Sequence, residues 1–118
     1  MITVYGIPNC DSVKKARAWL SGHAADFLFH DFKKHGVPAD LLPPWLAAVG
    51  WQTLVNRNGS TWRKLSDATR QAVVDDASAS ALMLAWPSVI KRPVLAWHDG
   101  SISVGFDVEA FALQLARG

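Results

Sequence analysis

Apolar and polar positions change period several times along this chain, and each change predicts an element boundary. Ile2-Thr3-Val4-Tyr5 is a short β-prone run that Gly6 and Pro8 stop, which predicts a strand followed by a turn. From Asp11 the period becomes helical: Val13, Ala16 and Leu20 share one face, Lys14, Lys15 and Arg17 lie off it, and Gly22 ends the segment. A second strand fits Asp26 to Asp31, where Phe27 and Phe29 alternate with Leu28 and His30 before Gly36 and Pro38 close it. The middle of the chain reads as helices and loops. An apolar segment ends at Gly50 and starts either near Pro43, since Pro43 and Pro44 suit a first turn, or at Ala39. Asn56-Arg57-Asn58-Gly59 is a loop, Ser66 is an N-cap for a helix over Asp67 to Asp76, and Ala77 to Trp86 is a further helix stopped by Pro87. Two strands, Val94 to Trp97 and Ser101 to Val104, flank the hairpin signal His98-Asp99-Gly100, and Asp107 caps a final helix through Ala116.

The order β-α-β, helices, β-β-α predicts an α/β fold with a mixed central sheet and helices packed against it. With 118 residues, half of them apolar, the chain can bury one sizeable core, so a single domain over 1–118 is expected, with no repeat or linker. The net charge of +2 comes from 12 basic and 10 acidic residues spread along the chain without long runs, which argues against nucleic acid as the main partner. No stretch approaches the apolar length that spans a bilayer, and the N-terminus lacks a signal-peptide pattern, so a cytoplasmic protein with no membrane partner is expected. His23, His30, His35 and His98 match no metal-ligand spacing, and no metal site is expected.

Cys10 is the one cysteine, and it falls where a strand hands over to a helix. A helix N-terminus presents unpaired N–H groups and the positive end of the helix dipole, and both favour thiolate over thiol. The following residues, Asp11-Ser12-Val13, put Val13 where a dithiol Cys-x-x-Cys site has its second thiol. A thiolate that attacks a disulfide here ends in a mixed disulfide that another molecule's thiol must release, and glutathione is the expected co-substrate. No tightly bound cofactor is expected.

Tyr5-Gly6-Ile7-Pro8-Asn9-Cys10 opening a helix, and Lys91-Arg92-Pro93 entering a late strand, resemble the ArsC/Spx/YffB family. The likeness spans nearly the whole chain and is closest to the YffB branch. It runs through Cys10-Asp11-Ser12, Lys14-Lys15-Ala16-Arg17, Phe29-His30-Asp31, Gly50-Trp51, Asn56-Arg57, Thr61-Trp62-Arg63-Lys64-Leu65 and Ile90-Lys91-Arg92-Pro93. The resemblance implies a thioredoxin-like fold with an inserted helical subdomain over about 38–86, and a cis peptide bond before Pro93. It also implies that Arg57 and Arg92 fall on two of the arginines lining the oxyanion site of the family's arsenate reductases. Pro93 would then hold backbone groups beside the thiol where an extended peptide such as glutathione docks, and Asn9 and Asp11, flanking Cys10, join the candidate binding residues.

The pattern departs from the arsenate reductases at two places: Gly105 stands at the third site arginine, and Gly6 at the histidine ahead of the cysteine. An oxyanion held by two arginines instead of three loses one charge-assisted contact, about 1.5 to 3 kcal/mol. The expected function is therefore a glutathione-dependent thiol–disulfide reductase acting on a mixed disulfide or glutathionylated substrate, and a monomer. The alternatives are a non-enzymatic, Spx-like protein-binding module and a weak arsenate reductase. Lys14 and Lys91 read as solvated charges, Trp62 as core packing, and Arg63 and Lys64 as an attraction for anions. Trp19, Trp45, Trp51, Trp86 and Trp97 read as core and subdomain packing.

Overall fold

A computed structural model describes residues 1–117 and divides into two compact units, one formed by residues 1–35 with 92–117 and the other by Gly36–Lys91. The first unit holds the whole sheet. Its strands are β1 (Ile2–Gly6), β2 (Phe27–Asp31), β3 (Val94–Ala96) and β4 (Ile102–Val104), in the order β2-β1-β3-β4. β1 and β2 run parallel, with Gly6 beside Asp31; β1 pairs antiparallel with β3, Tyr5 opposite Val94, and β3 with β4, Val94 opposite Val104. Parallel pairing of consecutive strands needs a crossover, and α1 (Asp11–Gly22) supplies it.

One sheet face makes the core of this unit. Ile2 and Val4 of β1, Leu95 and Trp97 on and after β3, Ala16 and Leu20 of α1, and Phe111 of α8 (Val108–Arg117) form one buried cluster. Phe111 makes T-shaped contacts with Trp19, Trp97 and Phe106, the ring centroids 4.9 to 5.5 Å apart. The face Val13, Ala16 and Leu20 is fully buried, as its period predicts. Asp107 starts α8, its carboxylate accepting from the backbone N–H groups of Glu109 and Ala110. The β3–β4 hairpin closes through Gly100 N–H to Trp97 O and Trp97 N–H to Ser101 O, both at 2.9 Å. A single helical turn, α2 (Phe32–His35), follows β2.

The second unit is helical: α3 (Leu42–Val49), α4 (Trp51–Leu54), α5 (Ser60–Lys64), α6 (Asp67–Gln71) and α7 (Asp76–Ala85), with short 3₁₀ turns at Ala39–Leu41 and Pro87–Val89. The unit runs from Gly36 to Lys91, where the family resemblance implied an insertion over about 38–86. The α3 start resolves both readings of that segment, since Ala39–Leu41 is a 3₁₀ turn and the α-helix follows with its prolines in the first turn. α4 and α5 are single turns that the hydrophobic pattern did not show. The helix expected over Asp67 to Asp76 stops at Gln71, because Val73 turns into the core and Asp75 opens a new helix. Asp75 accepts from the Ser78 backbone N–H at 2.9 Å, and the Ser78 hydroxyl accepts from the Asp75 backbone N–H at 3.1 Å, a capping box. Ser66 does cap α6, accepting from Thr69 N–H.

Leu42, Trp45, Leu54, Val55, Met83, Val89 and Ile90 are buried in this unit's core. An isolated antiparallel bridge joins Val55 to Ile90, with Asn56 N–H donating to Val89 O at 2.7 Å and Lys91 N–H to Leu54 O at 2.8 Å. Trp86 corrects the expectation of packing: it is 51% exposed. No helix among the described residues is long and apolar enough to cross a membrane.

Candidate active site

The strand register brings the candidate residues of the first unit to one end of the sheet. β1 ends at Gly6 and leads through Ile7–Asn9 to Cys10; Tyr5 lies opposite Val94, so Arg92 and Pro93 enter β3 at the end where β1 leaves. The carboxyl ends of the parallel strands are where open α/β sheets bind ligands. The Arg92–Pro93 bond is cis, and Pro93 is buried, its carbonyl accepting from Gly105 N–H at 2.8 Å. Asn9 and Asp11 are exposed on either side of a half-buried Cys10.

Cys10 is the N-cap of α1, in extended conformation at φ −136 and ψ 126. Its carbonyl accepts the first helical bond, from Lys14 N–H at 2.9 Å, while its side chain makes no capping bond. Ser, Thr, Asp or Asn at this position would tie up first-turn N–H groups with a side-chain oxygen; a cysteine leaves those donors turned towards whatever sits at the sulfur. The arrangement suits an anionic group bound beside the sulfur.

The first turn of α1 is held against β1 by an unusually close approach. Val13 is fully buried, and a Cβ placed on Gly6 would lie 2.7 Å from a Val13 methyl group. Gly6 therefore has no room for a side chain while Val13 fills that space. Gly105 has φ +86, a backbone region that side chains with a Cβ rarely enter. Both positions that depart from the arsenate reductase pattern are thus ones where the local geometry favours glycine.

Arg57 lies in the helical unit, exposed in the loop after α4, its guanidinium carbon 5.4 Å from the centre of the Trp51 ring. It lines a cavity of about 580 Å³. The half-buried Trp62 and the exposed Lys91 line the same cavity. The signal for Lys91 is absent from its neighbours in sequence, since it comes from the Val55–Ile90 bridge. Among the described residues no group of three or more His, Cys, Asp or Glu side chains could hold a metal ion.

The ArsC family model matches residues 5–113, nearly the whole chain. This chain belongs to the ArsC family. The solved YffB (PA3664) protein is similar to it at 48% identity, covering 98% of this chain and 99% of that one with a TM-score of 0.91. A curated relative, an uncharacterized protein of Haemophilus influenzae, is 36% identical over 116 residues, 98% of this chain and 100% of its own length. The global transcriptional regulator Spx of Streptococcus pyogenes is 26% identical over 119 residues, 99% of this chain and 87% of its own. The family membership and the mixed four-stranded sheet agree with the thioredoxin-like fold that the motifs implied.

Proposed function

We propose that this ArsC-family protein is a thiol–disulfide reductase with a single reacting sulfur, regenerated by glutathione. The observation that carries the reading is Cys10 itself: a half-buried cysteine as the N-cap of α1, at the carboxyl end of β1, with a buried Val13 where a second thiol would sit. The Cys10 thiolate attacks the disulfide of a glutathionylated substrate, forming a Cys10–glutathione bond while the substrate sulfur leaves as a thiolate and takes a proton. Glutathione thiolate then attacks that bond, releasing glutathione disulfide and restoring Cys10. The sum is a reduced substrate and one glutathione disulfide for each mixed disulfide and glutathione consumed. Arg92 binds an anionic group of the substrate with its planar fork, the turn at Pro93 holds backbone groups beside the sulfur, Asn9 and Asp11 offer polar side chains around it, and Arg57 is a second anion-binding group.

The test is to mix the protein with glutathione disulfide and weigh it by mass spectrometry. A single glutathionyl adduct on Cys10 that excess glutathione removes, and that Cys10→Ser lacks, supports the reading. Absence of any adduct would sink it and favour a protein-binding module, the role that the similarity to a transcriptional regulator suggests. Arsenate reduction is the weaker reading because Gly105 replaces the third arginine that the family pattern implies.

A further inference from the structure

The helical unit carries a cavity whose chemistry differs from its other hollows. Those flanking Trp86 are walled mainly by apolar and small side chains, among them Leu65, Ala85 and Leu82. The cavity beside Arg57 is instead walled by Gln52, Asn56 and Asn58, by the cations Arg57 and Lys91, and by the half-buried ring of Trp62. It contains no acidic residue. Among the described residues neither Arg57 nor Lys91 has an ion-pair partner. Its volume, about 580 Å³, is in the range of small-molecule sites.

The walls are built rather than incidental. The Val55–Ile90 bridge, with its flanking hydrogen bonds from Asn56 and Lys91, sets the segment leading to Arg57 beside the segment ending in Lys91. Asn56 Oδ1 accepts from Asn58 N–H at 3.2 Å, which shapes the loop, and the Trp51 ring lies against the Arg57 guanidinium. Arg57 and Lys91 are both exposed and line the cavity with no acidic residue beside them, so an anion bound there is attracted by both. A guanidinium fork and an ammonium suit a carboxylate, the neighbouring side-chain amides offer both donors and acceptors to peptide groups, and Trp62 offers an apolar wall.

We propose that this cavity, walled by Arg57, Lys91, the side-chain amides and Trp62, binds the terminal carboxylate of a short peptide. The assignment rests on the reading of Arg57 as an anion-binding residue and is independent of chemistry at Cys10. The experiment titrates the full ¹⁵N-labelled chain with S-methylglutathione, which cannot exchange disulfides, with its glycinamide analogue, and with sulfate. The expected result is a saturable shift of the Trp62 indole N–H and the Asn58 amide, with the acid binding about tenfold or more tighter than the amide. Lys91→Met should weaken the acid by a similar factor, leave the amide unchanged and keep the spectrum folded; Asn58→Ala, in a loop already exposed, should weaken both ligands. Equal affinity for acid and amide, sulfate binding as tightly as the acid, or shifts that avoid Trp62 and Asn58 would each overturn the proposal. Cys10 adduct formation, measured separately, decides the reductase reading, so either can fail alone.

Discussion

Cys10 owes its place to what surrounds it in the chain: an extended residue after β1, then Asp11 beginning a helix whose first-turn N–H groups have no side-chain cap. Arg92 and Pro93 reach the same end of the sheet through the β1–β3 register, which local sequence does not reveal. Under the reductase reading, Arg92→Ala removes a charge-assisted contact and should raise KM for a glutathionylated peptide by about tenfold or more, with the Cys10→Ser variant inactive; steady-state kinetics over substrate concentration reads both. An unchanged KM would remove Arg92 from substrate binding. Gly105→Arg, which restores the arginine of the arsenate reductase pattern, places a Cβ at φ +86 and should lower unfolding stability by about 1 to 2 kcal/mol in urea titrations.

Elements carry two further predictions. β1 and α1 meet where Gly6 approaches Val13, whose branched side chain has little rotamer freedom in a helix. Gly6→Ala should cost about 1 to 3 kcal/mol, and combining it with Val13→Ala should cost less than the sum of the two single changes, as a double-mutant cycle in urea would show. Additive costs would mean that the two residues are not coupled. The start of α7 depends on Asp75, whose carboxyl is held below its ordinary value of 3.8 by hydrogen bonds from the Ser78 hydroxyl and backbone N–H. A carboxyl lowered in the folded state stabilises it above the unfolded value and loses that contribution as pH falls through the folded value. The difference in melting temperature between the protein and Asp75→Asn should therefore be constant at neutral pH and shrink below about pH 4. The capping box also explains why the helix expected over Asp67 to Asp76 ends early: Val73 and Val74 fitted the helical pattern, but Asp75 with Ser78 gave the backbone the start of the next helix.

At the scale of the whole molecule, each compact unit has its own apolar core, and burial separates residues that composition treats alike. Phe111 is 1% exposed and meets three aromatic rings, whereas Trp86 is 51% exposed. Phe111→Ala should cost about 3 to 5 kcal/mol, while Trp86→Ala should stay within about 0.5 kcal/mol, both read from urea midpoints. A large loss at Trp86 would mean that its ring is packed more tightly than its exposure shows.

The alternation of Phe27 and Phe29, the face Val13-Ala16-Leu20, the caps Ser66 and Asp107 and the hairpin at His98-Asp99-Gly100 were all legible in the sequence, because periodicity, capping and turn chemistry act between near neighbours. The family blocks further located Cys10 and the cis bond before Pro93. Tertiary structure alone decided that Gly6 is closed off by Val13, that Trp86 faces out, and that Trp62 and Lys91 share a cavity with Arg57. Those outcomes depend on which distant segments pack together, as when Val55 pairs with Ile90, and packing between segments leaves no periodic trace in either one.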